Sequence, residues 1–316
     1  MLPWLARRLG VSFLLILIVA SIVFLAINLV PGDPAEILLS QGGASPSPEA
    51  VAELRATLGL DQPLLTQYLQ KMWQLLHLDL GRSMQDRSSV SEEIMRRLPR
   101  TLELILAAAL ISVAIGLPAG TYAAIRRDGP FDRIASALAG LSLAIPVFVV
   151  GTLMVMIFAQ VLRWVPAGGF VPFERDPVQH LVLLAMPAIT IASSLLPVLF
   201  RMTRSSVLDV MLKDYVRTAR AKGVAPLRIM THHVVRTALM PIITVLALHL
   251  GTLLGGTVLV EYVFNWPGLS GLLVGAVNAR DYPEVVGVVL VISIMFVLLN
   301  LMVDILYGLI DPRVRR

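Results

Sequence analysis

Six apolar stretches dominate this chain, at about 9–30, 101–125, 134–162, 178–200, 239–262 and 285–310. Each reaches the roughly 20 residues that a helix needs to cross about 30 Å of hydrocarbon. With 57% hydrophobic and 15% charged residues and a mean hydropathy of +0.80, 316 residues cannot fold as a soluble domain. Glycine and proline interrupt the stretches, which membrane helices tolerate. None of them alternates polar and apolar residues as a membrane β-barrel would. The expected class is an all-α membrane protein with six transmembrane helices. The first stretch follows Arg7 and Arg8 and is longer than a signal-peptide core. No small-x-small cleavage site follows it, so it reads as an uncleaved span. With no cysteine, disulfides and thiolate metal sites are excluded.

The basic residues set the orientation. With the amino terminus in the cytoplasm, the inside holds Arg7, Arg8, Arg126, Arg127, Arg133, Arg313, Arg315, Arg316 and eight more between Arg201 and Arg236. The two short outside loops hold only Arg163, Arg175 and Arg280. The long loop after the first span is exempt from the positive-inside rule. Both termini are therefore expected in the cytoplasm. The net charge of +5 reflects this topology and does not indicate nucleic acid. The expected division is an N-terminal region with the first span (1–30), an extracytoplasmic loop domain (31–98) and a five-helix core (99–316). A cytoplasmic loop lies at about 201–238.

In the outside loop, PGDPA stops the first helix and Ser45–Pro48 caps a helix running through Leu58. From Gln62 to Leu76, Leu64, Leu65, Tyr68, Leu69, Met72, Trp73 and Leu76 recur at helical spacing. That greasy face belongs on the membrane surface, on other helices, or in a docking or gating contact. Small residues four apart on the second span (Ala108, Ser112, Gly116, Gly120, Ala124) and on the fifth (Ala247, Gly251, Gly255) indicate close helix packing.

Several chemistries are absent. No Gly-Lys dipeptide occurs, so the chain lacks the P-loop route to binding ATP. Neither H-E-x-x-H nor G-x-S-x-G occurs, which removes a zinc protease and a nucleophile elbow. The ionisable residues in or beside spans are Glu103, His249, Glu261 and Asp304. The three acids lie near span ends, within reach of headgroups or a partner subunit. His249 is mid-span, close to Gly251 and Gly255, and reads either as a neutral packing residue or as part of a pathway. Facing acids of a proton relay are not evident. The adjacent His232 and His233 diverge on a helix and make a poor chelate, and no metal site is expected.

The inside loop at 201–238 carries DYVRTARAKGVAPLRIMTHHVVRTALMP, a basic segment too polar for lipid. Tyr215–Lys222 is predicted as a helix that Gly223 ends, with Pro226 opening a second, short helix. On composition alone it is a positive-inside anchor. DYVRTARAKG followed by RTALMP resembles the cytoplasmic EAA-type loop of ABC importer permeases, in the variant of the dipeptide, oligopeptide and nickel group. In the general pattern a Glu-Ala-Ala triplet begins six residues before the glycine. Here Arg217, Thr218 and Ala219 stand there, the interval from Gly223 to Pro241 is longer, and Met240 replaces a leucine. The triplet change and the longer interval are the subgroup's own. LGLDQPLLTQYLQ, LDLGRSM, VEYVFNWPGLSGLLVGAVNARDYPEVVGVVLV and VDILYGLIDPRVRR resemble the same subgroup in the right order, as does the N-terminal stretch from Ala6 to Ala35.

The resemblance implies a type I ABC importer permease, the first of two homologous subunits that pair as a heterodimer. Two ATPase subunits would bind ATP and Mg, and an external substrate-binding protein would deliver cargo. The chain itself would be no enzyme and would bind no cofactor. Its place would be the bacterial cytoplasmic (inner) membrane, in contact with lipid. Ala219–Arg228 would form the coupling helix, with Gly223 as its corner. The coupling set is then Arg217, Thr218, Ala219, Arg220, Ala221, Lys222, Gly223, Val224, Pro226 and Arg228. His249, Gly251, Gly255 and Glu261 are the pathway candidates. Cargo is expected to be a di- or oligopeptide, with nickel, an opine-type metal chelate or glutathione as alternatives. A proton-coupled secondary transporter or a membrane scaffold or receptor without transport are the rival classes; the first would require buried acids and inverted repeats.

Overall fold

A computed structural model describes residues 2–28, 36, 39, 46–57 and 61–310. The expected PGDPA turn, the residue Ser45, the helix end at Leu58 and the terminal DPRVRR lie outside the described residues. Twelve helical elements account for most of the rest. They are α1 (Leu2–Asn28), α2 (Pro48–Thr57), α3 (Leu64–Leu76), α4 (Val90–Ile125), α5 (Pro130–Ala144) and α6 (Val147–Val161). Then follow α7 (Pro177–Met211), α8 (Asp214–Ala221), α9 (Pro226–Gly256), α10 (Val258–Val263), α11 (Leu269–Ala279) and α12 (Tyr282–Ile310).

Five of these helices, α1, α4, α7, α9 and α12, are long and apolar enough to cross a membrane. The third expected span behaves differently. It folds as two arms, α5 and α6, bent by 100°. At 1.5 Å per residue each arm is only about 23 Å long, short of the hydrocarbon thickness. The cause is local: Ile145 precedes Pro146, whose ring pushes it out of the helical region to φ −94, ψ 124. The fifth expected span also divides, because α9 stops at Gly256 and α10 restarts after Thr257.

The chain forms two compact units. The first comprises Met1–Arg8, Leu98–Gly271 and Leu298–Arg316; the second Leu9–Arg97 and Leu272–Val297. The described residues between Gly10 and Arg97 therefore fall in one unit with 272–297.

In the first unit α7 is the central helix and packs against α5, α6 and α9. Asp176 caps it by accepting from the Gln179 N–H at 3.0 Å, and Pro177 opens its first turn. The small-residue stripe of α4 is buried throughout. A Cβ on Gly116 would meet Leu199 Cβ at 3.2 Å, and one on Gly120 the Phe200 carbonyl oxygen at 2.7 Å. The stripe thus lets α4 and α7 touch backbone to side chain. Gly255, by contrast, has nothing within 4 Å of an added Cβ among the described residues.

In the second unit α2 starts on Ser47, whose Oγ accepts from the Ala50 N–H at 3.2 Å. The loop from Asp79 to Ser89 and the α11–α12 turn meet at Asp281. This carboxylate is fully buried; Oδ2 accepts from Ser83 Oγ (2.5 Å) and the Met84 N–H (2.9 Å), and Oδ1 from the Glu284 N–H (3.3 Å). Close by, a Cβ on Gly287 would lie 2.6 Å from Val90 Cγ1.

Candidate functional site

The basic segment forms an exposed corner between α7 and α9. α8 follows Lys213, runs to Ala221 and ends at Gly223, which adopts φ +73. The Gly223 N–H donates to the Arg220 carbonyl (3.0 Å) and the Val224 N–H to the Ala219 carbonyl (3.2 Å), closing the helix end. Nothing lies within 4 Å of an added Cβ at Gly223. Left-handed backbone, not crowding, is therefore what demands glycine there. Pro226 then opens α9, as expected, but the helix it opens is not short. It continues through a π-type turn at Ile229–Val235 into the apolar run ending at Gly256. Ala219–Arg228 is accordingly not one helix: it joins the last turn of α8, a four-residue bend and the first turn of α9.

One residue anchors the corner. Val216 is completely buried, packed with Val207 and Val210 of α7 and Ile229, Val234, Ala238 and Ile242 of α9. Ala219 and Val224 pack beside it. The other coupling candidates point outwards: Arg217, Thr218, Arg220, Ala221, Lys222, Gly223, Pro226 and Arg228 are all exposed, as is Leu227. Arg217 reaches Asp214 at 3.3 Å, but both side chains are largely in solvent, so the pair contributes little. The result is a cationic knob with an apolar tip, seated on a buried hydrophobic base.

α7 carries half of an ion pair that sequence reasoning missed, a partly exposed arginine on a buried carboxylate. Arg204 grips Asp132 at the start of α5 with two bonds, Nε to Oδ1 (2.5 Å) and NH2 to Oδ2 (2.7 Å). Asp132 is 2% exposed and also accepts from the Asp128 N–H at 2.9 Å and Ser136 Oγ at 3.3 Å. An acid two residues after Pro130, beside Arg126, Arg127 and Arg133 in sequence, was the available signal.

At the other end of α7, His180 is buried with Nε2 2.6 Å from Glu103 Oε1 and Nδ1 2.7 Å from the Val171 carbonyl. Phe170, Phe173 and Trp266 surround it edge-on. Glu103 thus meets a histidine of its own chain.

Glu261 is 1% exposed, so it reaches neither headgroups nor a partner subunit. Its Oε1 accepts from Thr101 Oγ1 (2.9 Å) and Thr257 Oγ1 (3.3 Å), and Oε2 from the Ser270 and Gly271 N–H groups (2.9 and 3.0 Å). It caps the first turn of α11, whose Leu269 N–H donates to Thr101 Oγ1 at 2.8 Å. Of the other pathway candidates, Gly251 is buried, Gly255 exposed and His249 half-buried. The His249 ring makes no hydrogen bond among the described residues. Asp304's side chain lies outside the described residues. No group of three or more metal-binding side chains occurs among the described residues.

Residues 116–316 match the family described as binding-protein-dependent transport system inner membrane component, and residues 1–105 match its N-terminal counterpart. The chain belongs to this family. Such a permease is a multi-pass membrane protein, as the long apolar helices require. A putative peptide transport system permease of Brucella abortus (strain 2308) is 44% identical over 309 residues, 98% of each chain. A dipeptide transport system permease of Escherichia coli (strain K12) is 38% identical, covering 100% of this chain and 99% of its own. A di/tripeptide transport system permease of Pseudomonas aeruginosa (strain UCBPP-PA14) is 40% identical, with the same coverage. A permease chain in inward-facing structures of the MetNI methionine ABC transporter has a TM-score of 0.55 at 20% identity. The match covers 69% of this permease and 96% of that chain, so the fold is that of an ABC importer permease.

Proposed function

We propose that this permease is one of two homologous membrane subunits of an ATP-driven importer of di- and oligopeptides. The reading rests on full-length similarity of 38–44% to three permeases named for peptide or dipeptide transport. Two ATPase subunits bind ATP and Mg, and an external binding protein delivers the peptide. Both termini lie in the cytoplasm, in keeping with the distribution of Lys and Arg. The corner around Gly223 then faces the ATPase. Arg217, Thr218, Arg220, Ala221, Lys222, Pro226 and Arg228 supply its outward contact, while Ala219 and Val224 hold it on the base around Val216. A rigid corner continuous with α9 passes displacement of the ATPase into a span, because α9 has no break between Pro226 and Gly256.

The test is uptake of a labelled dipeptide, and separately of nickel with and without a chelator, in cells with and without the gene. A Gly223→Val arm is added. Peptide uptake falls when the gene is lost. Gly223→Val, forced to a β-branched residue at φ +73, stays in the membrane, retains ATP hydrolysis and loses most uptake. Loss of metal uptake alone would overturn the cargo assignment. Normal peptide uptake by Gly223→Val would overturn the placement of the coupling corner.

A further inference from the structure

α3 divides its circumference into three sectors. At about 100° per residue, Leu75, Tyr68 and Met72 fall together, and these are half-buried against the protein. Leu65, Leu76, Leu69 and Trp73 form the adjoining sector, 58–69% exposed, with the Trp73 ring tilted against His77 at 4.6 Å between centroids. Thr66, Gln67, Gln70, Lys71 and Gln74 fill the polar arc, and Leu64, in the first turn and 60% exposed, falls between Lys71 and Leu75. Four large apolar side chains side by side in water would cost several kcal/mol in all, at about 25 cal/mol per Å².

The depth of the helix says what covers them. Tyr68 hydroxyl lies 2.8 Å from Ser21 Oγ of α1, and its ring packs edge-on against Phe24 with centroids 5.4 Å apart. Asn28 is the first strongly polar residue after the apolar run of α1. At 1.5 Å per residue, Phe24 and Ser21 lie about 6 and about 10 Å below that end. This is the depth at which interfacial amphipathic helices seat their apolar face. On α1, Ile22 and Leu25 flank these contacts and are themselves exposed, so the apolar surface runs on from the span to α3. Trp73 sits at the border between the apolar and polar sectors, where an indole favours the headgroup level. Lys71, on the far border, does not hold a headgroup, because its ammonium turns inward to the Leu80 carbonyl at 3.3 Å.

We infer that α3 is a membrane-surface helix whose Leu65–Leu69–Trp73–Leu76 face is immersed in the lipid leaflet where α1 ends. The occupant is acyl chain and glycerol backbone, held by the hydrophobic effect and not by anionic headgroups. The inference concerns the protein's seating in the bilayer and does not depend on which solute crosses.

Since the chain has no cysteine, an introduced thiol is the only one it carries, and the unsubstituted transporter labelled in parallel gives the background from its partner subunits. Leu69→Cys and Gln70→Cys, neighbouring residues in the apolar and polar sectors, are labelled with bimane in the assembled transporter in phosphatidylcholine vesicles. Phosphatidylcholine with a nitroxide at acyl carbon 5 should quench the Leu69→Cys label at least threefold more than the Gln70→Cys label. Aqueous iodide should show the reverse order, and adding phosphatidylglycerol should change neither. Equal quenching at both positions, or preferential iodide quenching at Leu69→Cys, overturns the inference. A label at Leu69→Cys reached by neither quencher also overturns it and assigns the face to a protein neighbour.

Discussion

Replacing Asp281 with alanine tests whether one carboxylate holds the Asp79–Ser89 loop closed. In the structure Oδ2 takes the hydroxyl of Ser83 and the N–H of Met84, both charge-assisted bonds. Alanine leaves Ser83, 6% exposed, without its acceptor, and strips the Met84 N–H as well. At roughly 1.5–3 kcal/mol per bond to a charged group, partly recovered by entering water, the loss is about 3 kcal/mol. At 1.4 kcal/mol per decade, the loop's opening equilibrium rises roughly 150-fold. Asparagine should cost less. Its amide can flip to keep a carbonyl oxygen on Ser83 and Met84, losing the charge and the 3.3 Å bond from Glu284, for a rise of about tenfold. Trypsin provides the assay. Arg82 and Arg87 have exposed side chains, but their backbone is tied by bonds from the Ser83 N–H to the Ser88 carbonyl (2.9 Å) and the Val90 N–H to the Gly81 carbonyl (3.1 Å). Cleavage after these two arginines in the detergent-solubilised transporter follows the open population when opening is fast. Rates should rank alanine above asparagine above the parent. A parent-like rate for Asp281→Ala would refute the reasoning and leave backbone bonding as what closes the loop.

Two further predictions concern α7. Asp132→Ala should lower stability by about 1–2 kcal/mol, because the partly exposed Arg204 guanidinium loses its two charge-assisted bonds but regains water. The Asp132→Ala/Arg204→Ala pair should lose at least 1 kcal/mol less than the summed single losses; additive losses in thermal unfolding would show that the pair is not coupled. Thr203 Oγ1 is buried with no hydrogen-bond partner among the described residues, so Thr203→Val should stabilise by about 1 kcal/mol. That corresponds to a Tm rise of about 2–3 °C for a chain of this size, and a fall of equal size would mean that the hydroxyl is satisfied by water.

Local signals were the ones the sequence made legible. Gly223 and Pro226 each act on their own backbone, so the end of α8 and the start of α9 could be read residue by residue. The spans were readable as hydropathy, and the α4 stripe as spacing. Pro146 was equally visible, yet a proline inside an apolar run is compatible with a mild kink or a full break. Which occurs depends on whether the freed backbone finds new partners, and here the Pro146 carbonyl accepts from the Val149 and Val150 N–H groups at 3.0 and 3.3 Å, starting α6 at once.

The acids show the limit most clearly. Glu261 and Asp281 lie near span ends, and position along a span suggested contact with headgroups for Glu261. What decides their environment is where the donors come from: Thr101 is 160 residues from Glu261, and Ser83 is 198 from Asp281. A buried carboxylate is costly unless several donors converge on it. In both cases backbone N–H groups at a turn or helix start are joined by a distant hydroxyl, with the nearby Thr257 hydroxyl added at Glu261, and no spacing rule in one sequence announces such a cluster. Yet LDLGRSM and the stretch through ARDYPEVVG were separately recognisable, and Asp281 is where they meet. Two distinctive motifs far apart in a membrane chain, one carrying a small hydroxyl residue and the other a carboxylate followed by a helix, are therefore best read as two halves of one anchor. The corner at Gly223 needs no such partner, because its rigidity comes from a single left-handed residue and a single buried valine.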